Sequence, residues 1–209
     1  MRHKHTRELF LYWNRLRGSQ LAPHRNAIEP SDIRTLLPQT FILQRQADDT
    51  IEFRLAGTAL CQQFGAELRG LPFQTLFHSR DRRMLIRLTD QAMRGEAVSV
   101  LAMDGYSKGG RTVSFELLML PLASEESGDR AFGSAVPGEK MFWLGTDPII
   151  EWKLRSVRII DPEREMELAA QRPAIKVPPL APAATAIHPA PSAGRKVAHL
   201  TVLDGGRSA

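Results

Sequence analysis

Between residues 173 and 191 the chain carries six prolines (Pro173, Pro178, Pro179, Pro182, Pro189, Pro191) and six alanines (Ala174, Ala181, Ala183, Ala184, Ala186, Ala190). Proline fixes φ and withholds a backbone donor, and alanine brings little apolar area, so this stretch predicts an extended linker that no core can include. The core has to be built from what precedes it. After the linker, Val197 to Leu203 alternates like a strand and Asp204-Gly205-Gly206 reads as a turn. The chain therefore divides into an N-terminal helical extension over 1–38, a domain over 39–160, a short helix over 161–172, the linker over 173–194 and a strand-like tail over 195–209.

With 209 residues, 43% hydrophobic and 24% charged, the chain has an ordinary globular composition. No run approaches the roughly 18 apolar residues of a membrane helix, and Met1 to His5 is not followed by an apolar leader, which predicts a cytoplasmic protein. A single cysteine, Cys61, leaves no internal disulfide. The net charge of +5 sits in residues 1–25, where Arg2, Lys4, Arg7, Arg15, Arg17 and Arg25 face one acid, Glu8; the rest is neutral, 22 against 22. A dedicated nucleic-acid domain carries a stronger field on its body, so a basic-arm nucleic-acid binder ranks third among the readings below.

From Thr6 to Gly18, Leu9, Trp13 and Leu16 recur at i, i+4 and i+7 with Tyr12 beside them, predicting an amphipathic leading helix stopped by Gly18. Ser31-Asp32 suits the start of a short helix that Pro38 ends. Phe41-Ile42-Leu43 and the alternating Ile51, Phe53 and Leu55 read as a hairpin turned at Asp48-Asp49. A helix over Thr58 to Phe64, small helical pieces to Phe77, and a longer helix from Ser79 to Gly95 with Leu85, Leu88 and Ala92 on its stripe come next. Val98 to Met103, Val113 to Met119 and Met141 to Gly145 read as three strands, the last two separated by a polar loop from Ser124 to Glu139. Asp161-Pro162-Glu163 starts a further helix.

Over residues 40–147 this order resembles a PAS domain: a hairpin, a helical segment with one main helix, and a three-strand meander closing a five-stranded antiparallel sheet. Trp13-Asn14-Arg15-Leu16-Arg17-Gly18, the stretch Pro23 to Pro30, Ile33 with Leu37-Pro38, and Phe53-Arg54-Leu55-Ala56-Gly57-Thr58 resemble the opening of a bacterial family of stand-alone PAS proteins, and Val197 to Val202 with Gly205-Gly206 resembles how members end. The resemblance spans residues 6–160 and the last dozen. It implies an α+β fold with short helices and one longer helix on one face of the sheet, and a sensing or protein-interaction module without a single family ligand.

Photosensors of this fold carry Asn-Cys-Arg-Phe-Leu-Gln; here Cys61 sits in Leu60-Cys61-Gln62-Gln63, which reads as a small buried hydrophobe. His78 precedes the main helix, where a haem-binding relative would place an axial ligand, but a capping or surface histidine explains it better. His3, His5 and His24 lie in a basic segment without further metal ligands. The elbow, zinc and phosphate-loop motifs of common enzymes are missing, the glycines from Gly105 to Gly110 join two strands, and Asp48, Asp49, Glu125 and Glu126 lie in loops, so a non-enzyme without cofactor is expected. Phe53, Leu60, Phe64, Phe73, Phe77, Met84, Leu88, Phe115 and Trp143 are the candidate lining of a ligand cavity or the filling of a core. Leu9, Tyr12, Trp13 and Leu16 are the candidate homodimer face. The residues after 147 are too few for an output domain, so the first expectation is a signalling protein acting through a protein partner; the alternative is a sensor of an apolar or amphiphilic small molecule in the PAS cavity. The tail is expected to add as a strand to a sheet edge, its own or a partner's.

Overall fold

The computed structural model describes residues 1–123, 129–170, 196–197 and 200–201. The chain divides into two units, Met1–Gln171 and Arg172–Ala209. The first is one six-stranded antiparallel sheet with helices on both faces.

Helix α1 (Lys4–Arg17) opens it, two residues earlier than the apolar spacing predicts, and ends at Gly18 with φ +56. A carboxylate from the sheet accounts for the early start: Glu116 accepts the backbone N–H groups of Arg2 (2.9 Å) and His3 (3.1 Å), donors that a helix N-terminus leaves unpaired. The short helix expected after Ser31 is a series of turns ending in a 3-10 turn over Leu37–Gln39. Strands β1 (Thr40–Arg45) and β2 (Ile51–Ala56) form the expected hairpin. Asp48 accepts the N–H of Thr50 at 3.0 Å, and Asp49 takes the left-handed conformation that tightens the turn.

Helix α2 (Thr58–Phe64) follows, and its Gly57 cap lies so close to the carbonyls of Leu37 and Pro38 that a Cβ would sit 2.2 Å from one of them. Helix α3 (Arg82–Met93) turns Leu85, Leu88 and Ala92 inward. It starts after Asp81, whose carboxylate is engaged with the N–H of Leu154 at 2.9 Å.

Strands β3 (Val98–Ser107), β4 (Thr112–Pro121), β5 (Arg130–Pro137) and β6 (Ile149–Ile160) complete the sheet, in the order β2-β1-β5-β4-β3-β6. The hairpin, helices and meander match the fold that the resemblance implies, with one strand more. Two assignments in the meander change. Strand β5 lies inside the segment read as a polar loop, while Met141 to Gly145 is a turn, closed by the N–H groups of Thr146 and Asp147 on the carbonyl of Trp143 at 3.0 Å each. The reason is crowding at the sheet centre: β5 faces α3 with Ala131 and Ala135, and a Cβ on Gly133 would lie 2.3 Å from the Leu118 carbonyl and 2.5 Å from the Phe41 ring. Small residues in a central strand give no apolar alternation to read. Strand β6 was hidden differently, since its pairing with β3 shifts register at Ala102/Met103 and at Tyr106/Ser107, and each bulge breaks the two-residue period.

Helix α4 (Pro162–Ala170) begins where expected, Asp161 accepting the N–H of Glu163. The sheet separates two apolar cores. The inner holds α2 and α3; the outer holds α1, with Leu9, Phe10, Tyr12 and Trp13 against Ile42, Leu118, Leu120 and Phe132.

In the second unit, β7 (Lys196–Val197) and β8 (Leu200–Thr201) pair antiparallel with each other, Lys196 opposite Thr201 and Val197 opposite Leu200. The tail is expected as one added strand; its described residues are these two short strands, and the rest of it lies outside the described residues. The predicted linker and the Asp204 to Gly206 turn lie outside the described residues.

Candidate functional site

The space between the sheet and α2/α3, where a ligand is expected, is occupied by rings. Phe41 meets Phe53 and Phe73 (5.8 Å each between centroids), Phe73 meets Phe77 (5.1 Å), and Phe77 meets Trp152 (5.3 Å). Trp152 also contacts Phe64 at 4.8 Å and Phe115 at 5.4 Å. Most pairs are edge-to-face, the arrangement that aromatic quadrupoles favour. Gly105 makes this possible on β3, because a Cβ there would stand 2.6 Å from the Phe115 ring and 3.2 Å from Trp152.

The structure brings together Phe53, Leu60, Phe64, Phe73, Phe77, Leu88, Phe115 and Trp143 in this inner core. Met84 does not join them: it is 46% exposed, off the α3 stripe carrying Leu85, Leu88 and Ala92. The stripe expected for α3 from Leu85, Leu88 and Ala92 is the one the structure buries, and Met84, one position before Leu85, falls outside it. Phe41 and Trp152 belong to the same core and were not among the candidates. The alternation of Phe41 with Leu43 could have marked the first, whereas the bulges of β6 obscured the second.

Leu9, Tyr12 and Trp13 face the chain's own sheet, and Leu16 packs against the same core. Trp13 donates its indole N–H to the carbonyl of Pro121 at 2.7 Å, and the Arg17 guanidinium lies over its ring and pairs with Glu163 at 2.6 Å. The stripe read as a dimer face is therefore covered within the protomer, because the outer-face apolar residues of the sheet, Ile42, Leu118, Leu120 and Phe132 among them, need that cover. The basic arm is likewise a docked helix rather than a free segment.

The nucleophile and metal candidates resolve locally. Cys61 is half-buried against the inner core, and burial, followed by the charge of Glu67, pushes its thiol above the ordinary range, which opposes thiolate chemistry. His78 donates its backbone N–H to the Trp152 carbonyl at 2.9 Å, and its Nδ1 accepts from the N–H of Arg80, which makes it a turn-closing residue ahead of α3. His3 gives its backbone N–H to Glu116, and His5 is half-buried on α1. Among the described residues no three His, Cys, Asp or Glu side chains converge on one point. Of the glycine cluster read as a strand connection, Gly109 and Gly110 lie in the turn, whereas Gly105 is inside β3, paired with Val113 and Trp152, because the strand runs on to Ser107. The Gly109 N–H is held by the carboxylate of Asp147 (2.9 Å), which also accepts from Ser107 Oγ (2.6 Å), so an acid of this chain already fills the place an anion would take.

A cleft of about 680 Å³ opens beside α2, away from the ring stack, between Gln39, Gln62, Gln63 and the 136–144 segment. Gln63 is only 6% exposed, and its side-chain oxygen and that of Gln39 are buried without a hydrogen-bond partner. Phe142, 91% exposed, stands at the rim with the Arg111 guanidinium 6.0 Å above its ring. Spacing along the chain does not bring Gln39 and Gln63 together; only the packing of α2 on the 37–39 turn does.

A family model described as a PAS domain matches residues 1–136. No curated protein sequence matches the chain. Among solved structures, one described as a flavin analogue shedding light on the light-oxygen-voltage domain mechanism is similar at 16% identity and TM-score 0.41, covering 53% of this chain and 84% of that one. The LOV protein of Rhodobacter sphaeroides is similar at 13% identity and TM-score 0.39, covering 54% and 68%. The light-state structure of the blue-light photoreceptor Aureochrome1 LOV gives 13% identity, TM-score 0.39, 53% and 88%.

Proposed function

We propose, from the premise that this chain belongs to the PAS domain family, that it is a non-catalytic signalling protein whose output is a contact with another protein. PAS domains are sensory and signalling folds, and no helix among the described residues is long and apolar enough to cross a membrane. The observation that carries the reading is the ring stack from Phe41 to Trp152, which occupies the interior position a cofactor would need. A surface-exposed phenylalanine is the complementary sign, because a large ring left in water is stabilised by a partner that buries it. Phe142 beside the α2 cleft is that residue.

The second reading, a small-molecule sensor, is favoured by the cleft itself, whose lining includes Gln39, Gln62 and Gln63, side chains able to hydrogen-bond an amide or hydroxyl ligand. Replacing Phe142 with a photo-crosslinking amino acid in cells of the source organism separates the two. Crosslinks to one defined protein, absent from the same probe at Ile159 on β6, are the expected result. Their absence, together with a retained small molecule in native mass spectrometry, would transfer the assignment to the sensor.

A further inference from the structure

The sheet has two edge strands, β2 and β6, and an edge strand carries backbone donors and acceptors that its own sheet does not use. The chain closes many of them itself. On β2, Phe53 gives its N–H to the Leu71 carbonyl (3.1 Å) and accepts from the Gly70 N–H (2.8 Å), while Glu52 bridges to Pro72. On the first half of β6 the segment 77–81 does the same. Phe77 bridges to Trp152 in parallel, His78 donates its N–H to the Trp152 carbonyl (2.9 Å), and the Asp81 carboxylate takes the Leu154 N–H (2.9 Å).

Beyond Leu154 that cover stops. Trp152 and Leu154 turn their backbone groups out to the 77–81 segment, so Lys153 and its partner Asp104 are the residues that face each other across the β3 ladder. Arg155 is the extra residue of the bulge, and the alternation along β3 then aims Ala102, Val100 and Val98 at Ser156, Arg158 and Ile160. Val157 and Ile159 are left with N–H and C=O groups that point away from the sheet. Among the described residues these groups have no partner. Arg155, Ser156, Arg158 and Ile159 are exposed, Ile159 by 57%. Helix α4 follows at once but is drawn to the outer face, where Glu163 meets Arg17 and Met166 packs on the outer core. The window 155–159 holds two β-branched residues and no proline, which suits it to take a further strand.

We propose that this window is the interface with a second copy of the chain, the two β6 strands pairing antiparallel about a two-fold axis at Val157. Charge and the covered half of the strand select both the occupant and the register. When one edge meets itself, outward groups face outward groups, so a single residue stands opposite itself at the axis. An axis at Arg158 sets two guanidinium groups against each other, and an axis at Ser156 brings Leu154, whose N–H Asp81 holds, into the ladder. An axis at Val157 sets Ser156 opposite Arg158 and Arg155 opposite Ile159, with no like charges paired and reciprocal bonds between the two Val157 backbones. The window is complementary to itself. A ladder this short makes a small interface, so the dimer is reversible and follows concentration. This contact goes beyond the signalling reading and uses no residue of the Phe142 surface, so either can fail alone.

The test is analytical ultracentrifugation and native mass spectrometry of the full chain over a concentration series, and the parent is expected to show a reversible monomer–dimer equilibrium. Symmetry brings position 156 opposite Arg158 twice in each dimer. Ser156→Arg is therefore expected to weaken dimerisation about tenfold and Ser156→Glu to strengthen it by about the same factor. Position 156 is exposed in the protomer, so the circular dichroism of the dilute protein is expected to be the same in both variants. Val157→Pro, which removes an outward N–H and no bond within the sheet, is expected to leave a folded monomer. A parent that stays monomeric at its highest soluble concentration, or a dimer whose strength ignores both charges at 156, overturns the proposal. So does hydrogen exchange in which the Val157 and Ile159 amides of a monomeric parent become protected only in cell extract, since the edge then belongs to a strand of another protein.

Discussion

The two faces of one sheet are held in different ways. On the inner face the contacts are apolar and aromatic, Phe41 through Trp152, with helices seated on rings and no ionised group in the cluster. On the outer face α1 is seated on apolar residues too, but it is fastened by directional polar bonds: Glu116 to the N–H groups of Arg2 and His3, Trp13 to Pro121, Tyr12 to Glu29, Arg17 to Glu163. Apolar packing is indifferent to pH and weakly specific, whereas charged hydrogen bonds fix one register and respond to pH. The inner face is therefore the stable frame and the outer face the adjustable one.

The largest expected effect comes from deleting the ring at the centre of the frame. Trp152 touches Phe64, Phe77 and Phe115, so Trp152→Ala leaves a void in a close-packed interior and is expected to cost about 3–5 kcal/mol in urea unfolding. A cost under about 1 kcal/mol would break the comparison, since an interior able to collapse around that loss has slack enough for a ligand.

Overpacking the same place is the converse. Gly105→Ala places a methyl 2.6 Å from the Phe115 ring, and the flanking Trp152 limits how far that ring moves, so a loss of about 1–3 kcal/mol is expected. A neutral or stabilising result in the same denaturation experiment would reveal a cavity beside Trp152.

These two positions also mark where the sequence ceased to be readable. The helix and hairpin elements were legible because their signals are local: Gly18 and Gly95 as stops, Asp48-Asp49 as a turn, Thr58 to Phe64 as a helix between glycines. Most of the inner core followed from large apolar residues on those elements. The meander was misread where tertiary crowding overrode the pattern. Gly133, Ala131 and Ala135 are small because Phe41, Leu118 and α3 lie against them, and Trp152 is inward only through two bulges. Neither cause is visible along the chain. The covering of α1 is similar: Leu9 and Trp13 announce an apolar stripe, but whether the sheet or a second protomer covers it depends on the outer face of strands β4 and β5, which the alternation did not resolve. The cleft glutamines draw on segments that only the fold brings together.

On the adjustable face, Glu116→Gln keeps the shape of the clasp and removes its charge. One amide oxygen still accepts, so the expected loss is about 1 kcal/mol, below the usual range for bonds to a charged group. Hydrogen exchange is expected to quicken in α1 and to stay unchanged in β3 and β4. Equal acceleration in both would show that the two faces unfold as one unit and that the distinction between them is not energetic.

The smallest effect is the most diagnostic, because it uses protons alone. Burial lowers the pKa of His5 on α1 despite its hydrogen bond with the Leu36 backbone and the nearby Glu8, and its Nε2 is buried without a partner. Burial opposes ionisation of Glu116, yet the N–H groups of Arg2 and His3 outweigh it and hold the carboxyl below its ordinary value. In both groups the folded pKa lies below the unfolded one, so the unfolded chain takes up protons first and acid weakens the folded state. The stability from His5 is intact above its unfolded value of about 6.5 and falls as pH drops through that value towards the folded one; that from Glu116 is intact above about 4.3 and falls below it. Amide exchange corrected for intrinsic rates, compared at about pH 7.5 and about pH 5, is thus expected to show α1 loosening while β3 and β4 hold. His5→Asn is expected to abolish that change and leave the later one belonging to Glu116. If α1 protection is the same at both pH values in the parent chain, His5 is not a determinant of docking, and the outer face is fastened by its apolar contacts in the same manner as the inner one.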